Sequence, residues 1–237
     1  MTNRERAGIK QERAGRTRAL LIQAAGEEFA HRGYAGTSLT RISRAAMATI
    51  GALTFHFPAK NELAEAVCER GSELTREAVD RIAAAPHSPA AAVAEITQAL
   101  AELLEREPVV QAAARLSREL PLKHDWLEAW VPAVRTLLAQ AHRRGELAEE
   151  EDQELAGALV ACVVANLELS VLRAHGAPLG GTWGVRGRLA EVWEVLWYGI
   201  AGRRTRPRPG PRTSGAATAP TEGSDRADGP YDDPTMA

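Results

Sequence analysis

Along residues 12–31 the apolar positions Leu21, Ala25 and Phe29 recur every four residues, with Ile22 beside them. That spacing lies on one face of a helix, and Gly33 follows where a left-handed residue would stop it. A second, short pattern buries Leu39 and Ile42 and ends near Ala46, with Thr37 or Ser38 as its cap. A third runs only from a Thr49 cap to about His56. Pro58 suits the first turn of a fourth helix, which Leu63, Val67, Leu74, Val79 and Ile82 carry to about residue 83. Pro86, Ser88 and Pro89 then punctuate the chain, and helices are predicted over 89–106, 108–120, 124–144 and 150–174. The stretch "GAPLGGTWG" (176–184) reads as a loop, and 184–201 as a last helix. The pattern therefore predicts an all-α chain of about nine helices, with no internal repeat.

Composition agrees with that reading. The chain has 237 residues, of which 45% are hydrophobic, 25% charged and only 5% aromatic. Ala and Leu are prominent, and β-branched or aromatic runs of strand length are absent, a mix that favours helices. Residues 1–11 are polar, a flexible N-terminus. From Arg203 onward the sequence holds six of the 13 prolines and almost no large apolar residue. Such a segment buries too little surface to offset its ordering entropy, so 203–237 is expected to be a disordered tail.

Charge is distributed unevenly. Residues 1–60 carry ten Lys/Arg against four Glu, a balance of +6, while the remainder sums to −8. A basic head on an acidic body fits an encounter with a polyanion, although a solvated charged face has the same composition. Cys68 and Cys162 stand far apart within apolar helical patterns, which predicts two buried free thiols and a reducing, cytoplasmic setting. There is no leader-like segment and no apolar run of membrane-spanning length, so no membrane association is expected. Catalysis finds no support: the chain lacks a phosphate-binding glycine loop, a nucleophile elbow, metal-ligand spacing and a cofactor fingerprint. The carboxylates Glu149, Glu150, Glu151 and Asp152 form a charged loop rather than an isolated pair.

The corner in "TSLTRISRAAMATIGALTFHFPAK" (37–60) joins two short helices, the arrangement of a helix-turn-helix, whose second helix enters the DNA major groove. Gly51 weakens that helix by about 1 kcal/mol relative to Ala. With Ala52 it leaves room for close approach to DNA; close helix–helix packing is the alternative. Thr37 and Thr49 sit at helix starts, where hydroxyls and free N–H groups suit phosphate oxygens. Lys60 can reach a phosphate. Arg41 and Arg44 flank the groove or merely face solvent, and His56 either donates to DNA or packs at a helix end. Leu53, Phe55 and Phe57 read as core.

Residues 16–67 resemble the DNA-binding domain of TetR-family transcriptional regulators: an apolar helix ending "F…GY", then "TSL..I", a short helix around "GAL.FHF", and "K..L". The wording "GAL.FHF.AK..LA.AV" is closest to the actinobacterial γ-butyrolactone receptor branch and its pseudo-receptor relatives. The resemblance implies a DNA-binding domain over 12–60 and a helical ligand-binding and dimerisation domain over 61–202. Two positions depart from it. The family often has Lys or Arg where this chain has Ile50, and usually Tyr where it has Thr54; both family residues commonly touch the DNA backbone. Losing a cation and a phenol lowers the number of phosphate contacts.

In the body, "LAGALVACVVANLELSVL" (155–172) places Leu155, Leu159, Val163 and Leu167 on one face, and 188–202 places Leu189, Val192, Trp193, Leu196, Trp197 and Ile200 at helical spacing. These faces are either core or more than one small bundle needs; the resemblance implies a four-helix dimer interface. Trp126 and Trp130 lie four apart, on one helical face, with Val109, Val110, Ala113 and Leu116 on the preceding helix to face them. In the γ-butyrolactone receptor branch a Trp ahead of the "GEL" turn packs on the ligand, and Trp130 has the better spacing to residues 145–147. The resemblance as a whole implies a homodimeric repressor of secondary metabolism, released from a pseudo-palindromic double-stranded operator by a small-molecule effector, without cofactor or metal. A helical dimeric interaction protein with degenerate DNA binding is the alternative.

Overall fold

The computed structural model describes residues 3–147 and 153–174. Eight α-helices and no strand occur among them: α1 (Asn3–Arg32), α2 (Leu39–Ala45), α3 (Ile50–His56), α4 (Lys60–Ala83), α5 (Pro89–Arg106), α6 (Pro108–Glu119), α7 (Val131–Arg143) and α8 (Gln153–Ala174). The first helix starts well before the predicted residue 12. Residues 3–11 hold Arg, Glu, Lys, Gln and Ala beside Asn3, Gly8 and Ile9, with no proline and too few apolar positions for a period to be read. Glu12 and Arg16 face each other one turn apart at 3.7 Å. Gly33 ends the helix as expected, with φ +68° and its N–H on Phe29 O at 2.8 Å.

The cap of α2 is Ser38, whose Oγ accepts from Arg41 N–H at 3.3 Å. Thr49 caps α3, accepting from Ala52 N–H at 3.1 Å. Between them Met47 takes φ +51°, and Ala48 N–H closes back on Ser43 O at 2.9 Å. Pro58 precedes α4 rather than opening it. The helix predicted over 124–144 is broken: Trp126–Ala129 form a 3-10 turn and α7 starts at Val131. Pro132 is the reason. It has no N–H to give to residue 128, and its ring would clash with that carbonyl in a continuous helix.

α6 lies between α1 and α4 at close range. A Cβ on Gly26 would sit 2.9 Å from Val109 Cγ2, and one on Gly71 would sit 2.5 Å from Ala113 Cβ. Two glycines thus let α6 touch both neighbours, the situation in which a missing side chain is useful. On the other side α5, α7 and α8 pack together, α8 contributing Val160, Val164 and Leu167 to the core. Cys68 is buried as predicted, but Cys162 is exposed, because α8 turns that side outward. No helix among the described residues is long and apolar enough to cross a membrane. The expected loop at 176–184, the last helix and the tail lie outside the described residues.

Candidate functional site

The head is built from α1 to α3, with Leu21, Phe29, Ile42 and Leu53 fully buried. Its exposed edge is α3, and there Gly51 faces open space: among the described residues a Cβ would find nothing nearer than Thr49 Oγ1 at 4.0 Å. Close helix packing therefore does not explain this glycine. Thr49, Ile50 and Thr54 are exposed and Ala52 and His56 half-buried. The Thr54 hydroxyl donates back along its own helix, to Ile50 O at 3.0 Å and Gly51 O at 3.2 Å. Arg41 and Arg44 are exposed; Arg41 Nε stands 3.7 Å from the Glu28 carboxylate, which Arg32 also holds at 3.1 Å.

Two head residues differ from expectation. Thr37 is only 4% exposed, and its hydroxyl donates to Glu28 O and Gly33 O, sealing the end of α1 rather than offering itself to a phosphate. Phe55, expected in the core, is 80% exposed, since Leu53 and Phe57 already fill the inward positions of so short a helix.

The seam between head and body holds residues that periodicity did not single out. Arg115 and Glu119, one turn apart on α6, pair at 2.7 Å. Arg115 also donates to Ala30 O at 3.0 Å, and Glu119 accepts from Tyr34 N–H at 2.6 Å. One α6 ion pair thus grips the last turn of α1 and the loop leading to α2. Lys60 Nζ lies 4.1 Å from the centre of the Tyr34 ring. Burial lowers the Lys60 pKa, and the negative charge of Glu119 partly opposes that shift. Nearby, a cleft of about 330 Å³ is lined by Arg18, His56, Phe57, Glu62, Glu65 and His124 among others. It is charged rather than apolar, and none of the candidate effector residues lines it.

Trp126 and Trp130 are both buried, their rings 5.8 Å apart at 56°. They meet across the 3-10 turn instead of along one helical face. Trp126 is fully engaged: its Nε1–H donates to Thr75 Oγ1 at 2.9 Å and its backbone N–H to Ser117 Oγ at 2.9 Å. Trp130 is not. Among the described residues its Nε1–H is buried without a hydrogen-bond partner, as are Ser72 Oγ and His142 Nδ1. An unmet buried donor costs about 1–3 kcal/mol, so such an atom asks for an explanation. Val110 and Leu116 are fully buried, and Val109 and Ala113 pack closely on Gly26 of α1 and Gly71 of α4. Among the dimer candidates, Leu167 belongs to the subunit's own core and Leu159 and Val163 are half-buried. Leu189, Trp193, Leu196, Trp197 and Ile200 lie outside the described residues. The described residues hold no group of three or more metal-ligating side chains.

A three-helix head with an open, glycine-bearing short helix, riding on a helical body, defines a helix-turn-helix protein. The chain belongs to the TetR family of bacterial regulatory proteins, a family of regulators rather than enzymes: residues 21–67 match that family's profile, and the TetR family protein CprB is 32% identical with 93% of its own chain covered. The A-factor receptor protein of Streptomyces griseus is 28% identical over 195 residues, 81% of this chain, which spans 66% of that receptor's length. A solved γ-butyrolactone receptor (ArpA-like protein) shares 30% identity at a TM-score of 0.67, covering 80% of this chain and 90% of its own. CprB of Streptomyces coelicolor, solved in complex with its operator sequence, shares 33% identity at a TM-score of 0.65, covering 78% and 88%.

Proposed function

We propose that this protein is a homodimeric DNA-binding repressor that leaves a pseudo-palindromic operator when a small molecule of the γ-butyrolactone or antibiotic-intermediate class binds its body, and that it controls secondary metabolism. The observation that carries this reading is the uncrowded surface of α3 at Gly51, on a chain belonging to a regulator family. In this reading 12–60 is the DNA-binding domain, with Arg41, Arg44, Thr49, Ile50, Gly51, Ala52, Thr54, His56 and Lys60 at or beside the groove. Residues 61–202 sense the ligand and dimerise. The excess of basic residues in the head supports the phosphate-driven part of the affinity. Relatives point the same way: CprB is described with its operator, and two of the similar structures are γ-butyrolactone receptors.

For the effector, the unpaired Trp130 indole N–H supports a site that presents an acceptor oxygen, with the aromatic pair as an apolar wall. The ligand acts by population shift, favouring an arrangement of the two α3 helices that no longer matches successive major grooves. A coupling of about 1–3 kcal/mol corresponds to a loss of operator affinity of roughly 5- to 150-fold.

One observation favours a second reading. Met47, Ile50 and Phe55 leave an apolar surface on the head, which suits a protein partner as well as DNA. Fluorescence anisotropy with duplexes from the protein's own upstream region decides between them. Binding to a roughly palindromic site that weakens steeply with added salt, and is reversed by a panel of γ-butyrolactones, is expected. Absence of binding to any genomic fragment at low salt rejects the repressor.

A further inference from the structure

The seven residues of α3, "IGALTFH", include no Arg, Lys, Asn, Gln, Asp or Glu. Those are the side chains that recognise guanine, adenine and cytosine by hydrogen bonds in the major groove. The hydroxyl of Thr54 is spent on its own helix, on Ile50 O and Gly51 O. His56 is half-buried and lines the charged cleft with Arg18 and Glu62. What α3 shows to the outside is apolar: Ile50 is 47% exposed and Phe55 80% exposed, beside the bare backbone of Gly51. At 100° per residue, Ile50, Thr54, Gly51 and Phe55 span one contiguous arc of about 140°. Only one base-pair feature in the major groove answers to an apolar side chain, the C5-methyl group of thymine.

We infer that α3 reads its operator through thymine methyl groups, with Phe55 as the principal specificity-determining residue and Ile50 and the Thr54 methyl beside it. The inference rests on the proposed DNA-binding function and adds how sequence is told apart. Gly51 gives the backbone its close approach, and Phe55, one turn further on, fills the space this creates against the base edges. Arg44 and, 3.7 Å from the Glu28 carboxylate, Arg41 are exposed on α2 and supply charge for the DNA backbone beside it. The apolar face thus has duplex DNA as its occupant, held by flanking positive charge.

The test uses the full-length protein and a duplex enriched from a random-sequence pool. Each thymine of the enriched half-site is replaced in turn by deoxyuridine, which removes the methyl and leaves every hydrogen-bonding atom. At one or two positions affinity should fall about fourfold per methyl, the equivalent of about 0.8 kcal/mol for a buried methylene-sized group. Phe55→Ala should weaken binding and abolish the deoxyuridine effect at the same position, while Phe55→Leu keeps part of it and both variants keep the wild-type salt dependence. Because Phe55 is exposed, neither substitution should disturb folding. Indifference to deoxyuridine at every position, or an undiminished effect in Phe55→Ala, overturns the inference while leaving operator binding intact. Enrichment of no duplex, together with a change of oligomeric state in Phe55→Ala, overturns both and assigns the face to a protein partner.

Discussion

Gly33 holds φ +68°, and a Cβ there would lie 2.5 Å from Glu119 Oε1 and 2.6 Å from Arg115 Nη2, whereas Gly51 is helical and faces open space. The same substitution therefore has opposite signs at the two positions. Gly33→Ala should destabilise by about 2 kcal/mol, combining a left-handed backbone with a forced retreat of the Arg115–Glu119 pair. Gly51→Ala should stabilise by about 0.5–1 kcal/mol, since Ala is the better helix former, while weakening any close approach to DNA. Urea unfolding of the two variants checks both, and a destabilised Gly51→Ala would mean that the position is packed. The sequence marked both glycines as special. It assigned a left-handed stop to Gly33 correctly, because helix termination is a local backbone matter. For Gly51 it left two explanations standing, since crowding around a Cα depends on what other elements bring there.

Helix faces follow the same division. Cys68 and Cys162 both sit in apolar helical patterns, yet α4 presses Cys68 against α6, where its Sγ–H points at Ala113 O at 4.0 Å, while α8 exposes Cys162. Burial, and secondarily the negative charges of Glu65 and Asp125, push the Cys68 thiol up from 9.0 to about 12. Cys68 should accordingly react with a maleimide only after unfolding, as peptide mass spectrometry would show. The sign for stability follows: the neutral thiol is the native form, so its contribution is complete below about pH 9 and is lost as pH rises towards 12. Rapid labelling of Cys68 at neutral pH in the folded state would contradict the packing of α4 on α6. Periodicity also drew residues 124–144 as one helix, which Pro132 interrupts, and it missed the start of α1, where helix formers occur without an apolar stripe.

Between head and body the ties run mainly through α6, with α4 beside it. Its Arg115 and Glu119 hold Ala30 O and Tyr34 N–H of the head, and its Val109 and Ala113 lie against α1 and α4. A shift of α6 would move the last turn of α1, and with it the platform of α2 and α3. On the proposed reading the effector acts on this connection from the Trp126–Trp130 side, near Ser117 of the same helix. Trp130→Phe keeps the aromatic packing and removes the unpaired N–H. It should leave operator affinity near wild type and raise the effector concentration needed for release about tenfold, a loss of roughly 1.4 kcal/mol. Anisotropy of the operator complex titrated with effector measures this, and unchanged release would remove Trp130 from the site.

By itself the sequence determined the number and kind of most of the described helices, the cap at Thr49, the stop at Gly33 and the helix-turn-helix motif. Each of these depends on residues within a turn or two of one another, where steric limits and the helical period act directly. Tertiary structure alone decided that Thr37 seals α1, that Phe55 faces out, that Val109 and Ala113 pack on Gly26 and Gly71, and that Arg115 and Glu119 clasp the head. A side chain's period gives only its direction from its own helix axis. What stands in that direction is brought there by other segments of the chain, and no spacing along one helix records it.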